Sequence, residues 1–165
     1  MSLNRGFTMV EMMAVVAVIT ILALMALPSY LERIVREQIE QSLPLADIAK
    51  KPIGAAWAAL QEFPDDNAAA LLPVPDKIVN NFVTALTVDH GAIHLTFGNQ
   101  ANKAIHGKIL TLRPAVVEDA PVVPVAWVCA DAAVPGKMTL KGGGDRTSIP
   151  REYLPIVCRG TAKPQ

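Results

Sequence analysis

The chain has 165 residues, enough for one domain with a modest core, and its 15 Lys and Arg balance its 15 Asp and Glu. A net charge of +0 excludes a global attraction to nucleic acid or to an acidic substrate. The hydrophobic fraction of 52% exceeds that of an ordinary soluble protein, and much of the excess lies in the first thirty residues.

A short polar leader, Met1–Gly6, precedes an apolar run from Phe7 to Tyr30 that contains a single acid, Glu11. As a helix this run spans about 36 Å, enough to cross a bilayer. It is too long for the apolar part of a secretory signal, and no Ala-x-Ala cleavage site precedes Pro28. Arg5 is expected to stay on the cytoplasmic side, with the bulk of the chain crossing. Glu11 is costly there, at about 2.5–3.5 kcal/mol for an unpaired charge at the centre of a membrane helix. A simple anchor has no use for it, so a partner is expected.

The residues Arg5-Gly6-Phe7-Thr8-Met9-Val10-Glu11 closely resemble the processing site of type IV prepilins. The resemblance implies cleavage between Gly6 and Phe7 by a prepilin peptidase, which also N-methylates Phe7. It implies that Glu11 is the assembly residue. The physical reading agrees: cleavage creates a positive α-amino group on Phe7, and in a helical stack Glu11 of one subunit faces the amine of its neighbour. Pairing offsets the desolvation of both charges and sets register.

After Tyr30 the helix is expected to continue as an amphipathic segment to Leu60 or Phe63. Ile34, Ile39 and Leu43 form an apolar stripe, and Glu32–Arg36, Arg33–Glu37 and Arg36–Glu40 pair opposite charges. Pro28 and Pro44 should kink it, and Lys50-Lys51-Pro52 is a point of interruption. Pro64-Asp65-Asp66-Asn67 ends it, and residues 64–80 read as a loop with a short helical turn.

From Phe82 the period becomes two. Strands are expected at Phe82–Val88, Ala92–Gly98, Lys108–Arg113 and Val122–Cys129, with a turn at Asp89-His90-Gly91. Ile93, Leu95 and Phe97 share one face, while Ile109 and either Leu110 or Leu112 point inward on the third strand. Short connections imply an antiparallel meander with one face on the amphipathic helix and the other near solvent. Residues 130–165 read as loop-rich, with Gly142-Gly143-Gly144 a flexible point. The fold class is thus α+β: a long N-terminal helix packed on a four-stranded antiparallel sheet. The domains are leader 1–6, membrane or fibre-core helix 7–30, amphipathic continuation 31–63 and globular head 64–165.

The two cysteines, Cys129 and Cys158, permit one intramolecular pairing, the natural reading if the head lies outside the cytoplasm; separate buried thiols are the alternative. The run Ile93–Asn99, Gly107, Leu110-Thr111-Leu112, Trp127 before Cys129 and Tyr153-Leu154-Pro155 before Cys158 are similar to the sheet region of type IVa major pilins. In that family the cysteine pair bounds a C-terminal disulfide loop.

Other chemistry finds little support. His90, His94 and His106 read as surface imidazoles without further zinc ligands. Asp65, Asp66 and Asp76 lack the ordered pattern of a calcium loop. Neither a Gly-x-Ser-x-Gly elbow nor a phosphate-cradling glycine loop is present, so neither an enzyme nor a cofactor is expected. Lys137, Lys141, Arg146, Arg151, Arg159 and Lys163 make the tail basic, a solvated face or, less simply, one drawn to DNA or a host surface.

The resemblance implies a structural subunit that waits in the inner membrane with its head in the periplasm. The inner-membrane pilus assembly machinery then polymerises it into a homo-oligomeric helical filament outside the cell. Family functions are adhesion, twitching motility and DNA uptake. The rivals are a minor pilin or DNA-uptake component, a type II secretion pseudopilin, and a membrane-anchored binding domain that never polymerises.

Overall fold

The structure, a computed structural model, describes residues 6–160, apart from the side chains of 26–29. Leader residues Met1–Arg5, the Pro28 ring and Lys163 therefore lie outside the described residues. The chain divides into two compact units, Met1–Ile34 and Val35–Gln165.

The first unit is the beginning of helix α1, Met9–Ser42. Residues 6–25 are all exposed, including Met12, Val16, Ile19 and Leu22. Its most apolar stretch has a mean hydropathy of 2.5 and buries nothing within the chain. The helix is long and apolar enough to cross a membrane. Thr20 returns its hydroxyl to the Val16 carbonyl at 2.8 Å, so the run's internal hydroxyl is satisfied within the helix.

In the second unit the α-helix gives way to a 3-10 turn where proline stands. Pro44 falls in the first turn of a 3-10 segment, Leu43–Ala46, and helix α2 follows over Asp47–Leu60. Pro52 does not interrupt α2. Ile48, whose carbonyl loses a helical donor to it, is half exposed, so water can replace that bond. At the far end Gln61 turns left-handed at φ 55° and gives its N–H to Trp57.

The buried helical stripe is Val35, Ile39, Ser42, Ala46, Ala49, Ile53 and Trp57, at spacings of three and four. Of the residues expected there, Ile39 is buried, whereas Ile34 and Leu43 are only partly so. Small residues at 42, 46 and 49 leave room for the sheet. Val83, Leu86, Ile93, Leu95, Phe97, Leu110 and Leu112 complete one core with this stripe.

The sheet comprises β1 (Val83–Asp89), β2 (Ala92–Phe97), β3 (Ile109–Val116), β4 (Ala126–Cys129) and a short β5 (Thr139–Leu140). Strands β1 to β4 form the expected antiparallel meander in order. The β1–β2 turn places both His90 and Gly91 at positive φ, 47° and 81°, the conformation that matches strand twist in a two-residue hairpin. Strand β4 starts later than expected because Pro121 and Pro124 cannot donate to a ladder. Strand β5 pairs with β3 at Ala115 and Val116, beyond the last residue that β2 reaches.

Pairing also fixes β3's inward face. Leu95 lies opposite Leu110 and Ile93 opposite Leu112, so both leucines point into the core and Ile109 points away. The opposite face of the sheet is not open to solvent. Residues 141–148 cross it, bonding in turn to the His90 carbonyl, the Thr111 hydroxyl and the Ile109 backbone. His94 and Thr111 are buried beneath them. The glycine run is a point of close approach rather than of flexibility. A Cβ on Gly142 would sit 2.1 Å from the His90 oxygen, and one on Gly143 2.2 Å from that of Asp89.

β1 is an edge strand, and Asn67 guards it. Its amide accepts from Val88 N–H at 2.7 Å and donates to Leu86 C=O at 2.9 Å and Pro73 C=O at 3.1 Å, imitating a neighbouring strand. Asn67→Ala orphans these buried groups. It is expected to cost about 2–3 kcal/mol in chemical denaturation. A change below about 0.5 kcal/mol would show that water replaces the amide freely.

Candidate functional site

Residues 6–8 are irregular, and α1 begins at Met9. The Gly6–Phe7 peptide therefore lies in non-helical backbone, with Phe7 exposed and no atom within 4 Å of where a Gly6 Cβ would stand. A protease needs that access, because helical backbone cannot enter an extended binding cleft.

Glu11 and Thr8 hold one another. The Thr8 N–H points to a Glu11 carboxylate oxygen at 3.4 Å, and the Glu11 N–H donates to the Thr8 hydroxyl at 3.2 Å. This reciprocal pair is a capping box: it satisfies two donors that the first turn leaves orphaned and sets a negative charge at the positive end of the helix dipole. Sequence reasoning assigned Glu11 a role without Thr8. The Thr-x-x-Glu spacing ahead of an apolar run was the available signal.

At the other end of the chain Cys129 and Cys158 are joined by a disulfide, both buried. It binds the end of β4 to the 3-10 turn Ile156–Cys158, returning the tail to the sheet.

The histidines do not form one group. His106 is exposed. His90 is also exposed, with Nδ1 2.7 Å from Asp89, whose hydrogen bond draws the imidazole pKa upward. His94, read as a surface residue, is instead buried, its Nδ1 2.9 Å from the Thr111 hydroxyl. Burial first, then the nearby Arg146 charge, lowers its pKa, against the pull of Asp89. The folded chain thus disfavours protonated His94. That stability is complete above the ordinary histidine pKa of about 6.5 and declines as pH falls below it. His94→Gln is expected to flatten the fall in melting temperature between about pH 7 and pH 5. An unchanged pH profile would place the sensitivity elsewhere.

Asp66 caps the turn after it through the Ala69 N–H, and Asp65 faces His90 at 3.5 Å. No cluster able to hold a metal occurs among the described residues. Most of the tail's cations are engaged: Lys141 with Glu118 and over the Trp57 ring, Arg146 with Asp89, and Arg151 and Arg159 with backbone carbonyls.

An exposed, capped apolar helix joined to a disulfide-closed α+β head is the setting in which family likeness becomes decisive. Residues 35–159 match the family model described as Pilin (bacterial filament), and residues 1–27 match the Prokaryotic N-terminal methylation motif. The chain belongs to the pilin family. It is 30% identical to the type IV major pilin protein PilE1 of Neisseria gonorrhoeae, over 98% of this chain and 90% of that one. It is likewise 30% identical to the fimbrial protein EcpC of Eikenella corrodens, over 98% and 95% of the two chains. A fimbrial protein of Neisseria meningitidis is 28% identical over 98% of this chain. This pilin is a structural pilus subunit and not an enzyme.

Proposed function

We propose that this pilin is made as a membrane-anchored precursor, cut between Gly6 and Phe7, methylated on the new amine, and polymerised through Phe7–Tyr30. The observation that carries the reading is the bare helix. Residues 6–25 expose a largely apolar surface that no other described part of the chain covers. Lipid satisfies that surface before assembly and neighbouring helices after it, each buried Leu, Ile, Val, Met or Phe contributing about 1.5–3 kcal/mol when it leaves water. Head-to-tail stacking of such subunits yields an open helical filament rather than a closed ring.

Glu11 gives the stack its register by pairing with the Phe7 amine of a neighbour. Cleavage supplies that amine, so proteolysis by the prepilin peptidase is the switch from anchor to subunit. Energy for extension and retraction comes from partners in the inner-membrane assembly machinery, and the head, residues 64–165, faces outward. Adhesion and twitching motility suit a surface filament with an engaged, near-neutral head. DNA capture by the tail has less support, because two of its cations are neutralised within the chain, Lys141 by Glu118 and Arg146 by Asp89.

Intact mass spectrometry of protein sheared from cells tests the reading. The expected mass is that of Phe7–Gln165 with one added methyl and two hydrogens fewer at the cysteines. A species that keeps Met1–Gly6 in the fibre overturns it.

A further inference from the structure

Around the 3-10 turns Arg151–Tyr153 and Ile156–Cys158, three guanidiniums bond to backbone carbonyls rather than to carboxylates. Arg36 donates through Nη2 to the Glu152 carbonyl at 3.0 Å, Arg159 donates to the same carbonyl at 2.7 Å, and Arg151 donates to the Gly160 carbonyl. Arg159 also gives its Nε–H to the Leu154 carbonyl at 2.8 Å. None of the three forms an ion pair among the described residues; the acids beside them are the exposed Glu152 and Asp131, the latter packed on Gly160, with Glu32 and Glu40 one helical turn from Arg36. A guanidinium has five N–H donors, so one or two bonds to carbonyls leave both charge and donors to spare. Between Arg151 and Arg159 in the chain stand two bare aliphatic side chains, Ile156 at 77% exposure and Val157 at 71%.

Cations around exposed aliphatics are what a lipid interface selects: the aliphatics enter the acyl boundary and the cations meet phosphate. The chain's own tether adds a second argument. Arg36 follows Tyr30, the end of the apolar run, by six residues (36 − 30). Even fully extended, six residues reach no further than about 21 Å. With Phe7–Tyr30 in a bilayer, this patch is held within reach of the headgroups on the side where the head emerges.

We propose that, before assembly, Arg36, Arg151 and Arg159 with Ile156 and Val157 dock on anionic phospholipid headgroups of the membrane that holds the subunit's own anchor. This rests on the membrane-anchored precursor proposed above. Docking holds the head down on the bilayer and is released when the subunit is drawn into a fibre.

The test uses the full chain in lipid nanodiscs of phosphatidylcholine, with or without phosphatidylglycerol. Amide hydrogen exchange across 151–160 is the readout. Exchange is expected to slow about fivefold or more when phosphatidylglycerol is present, the partitioning that one arginine contributes at an anionic surface. Raising the salt should reverse it. Arg151→Gln with Ile156→Ser and Val157→Ser should abolish the effect, while Arg151→Lys alone should keep it. Equal exchange in both lipid compositions overturns the proposal. So does protection by added duplex DNA without any response to phosphatidylglycerol. Flotation of the protein with the lipid reads the anchor separately. Failure there sinks the anchored-precursor reading, whereas flotation with unchanged exchange sinks only the docking.

Discussion

Glu11→Gln is expected to leave the precursor processed and membrane-bound, with α1 starting at the same residue, yet to abolish or derange fibre assembly. The capping box separates two roles that Glu11→Ala confounds. Glutamine retains a side-chain oxygen for the Thr8 N–H, and Thr-x-x-Gln caps a helix much as Thr-x-x-Glu does. Alanine loses that bond as well, at a further cost of about 1 kcal/mol in the helix start. What glutamine lacks is the charge. On the proposed pairing, it leaves the Phe7 amine of a neighbour desolvated and unpaired in the stack, and breaking a buried pair in this way costs about 3–5 kcal/mol. At about 1.4 kcal/mol per factor of ten, subunit association weakens more than a hundredfold. Intact mass establishes processing, circular dichroism in detergent establishes the helix, and electron microscopy of sheared material establishes the fibres. Normal fibres from Glu11→Gln would show that Glu11 serves as a helix cap and not as a partner for the amine. Loss of helix in this variant would show that the cap depends on charge rather than on the acceptor.

The features legible in the sequence are those with local causes. The run from Phe7 to Tyr30 announces an apolar helix because no alternation, and no charge but Glu11, interrupts it. Asp89-His90-Gly91 marks a hairpin because the residue types tolerate positive φ, and both His90 and Gly91 adopt it. The features that escaped have distant causes. Whether Ile109 or the Leu110 and Leu112 pair faces the core depends on how β3 registers against Ile93 and Leu95 on β2. A run of alternating apolar residues cannot state its own register. His94 resembles a surface histidine until residues 141–148, about fifty positions away, are laid over it. The glycines that permit this crossing look like a flexible loop in sequence because their constraint is the backbone of the β1–β2 turn. Thr8 is the exception: its capping of α1 has a local signal, the Thr-x-x-Glu spacing to Glu11.

Replacing both cysteines with alanine is expected to lower the unfolding free energy of the head by about 3–4 kcal/mol, the chain-entropy value for a loop of this length. The two sulfurs are 29 positions apart in sequence and both buried, so the bridge removes many unfolded conformations that the reduced chain regains. The loss should be unevenly distributed. Residues 141–148 have independent ties: Gly143 to the His90 carbonyl, Thr147 to the Thr111 N–H, and Ser148 to Ile109 in both directions. Beyond Ile149 the tail has fewer, chiefly the burial of Leu154 and the bonds of Arg159 within its own segment. Hydrogen exchange in Cys129→Ala/Cys158→Ala should therefore rise most over 150–160 and least over 141–148. A uniform rise would mean that the disulfide secures the whole head rather than its tail, and an unchanged denaturation midpoint would remove its stabilising role. The consequence reaches α1, because Arg36 is tied to the Glu152 carbonyl inside the segment that loosens. With that carbonyl mobile, the Arg36 guanidinium loses its bond to the head. The disulfide thus secures a contact between the tail and the helix that leads into the membrane run, and an unoxidised subunit would enter assembly with that contact loose.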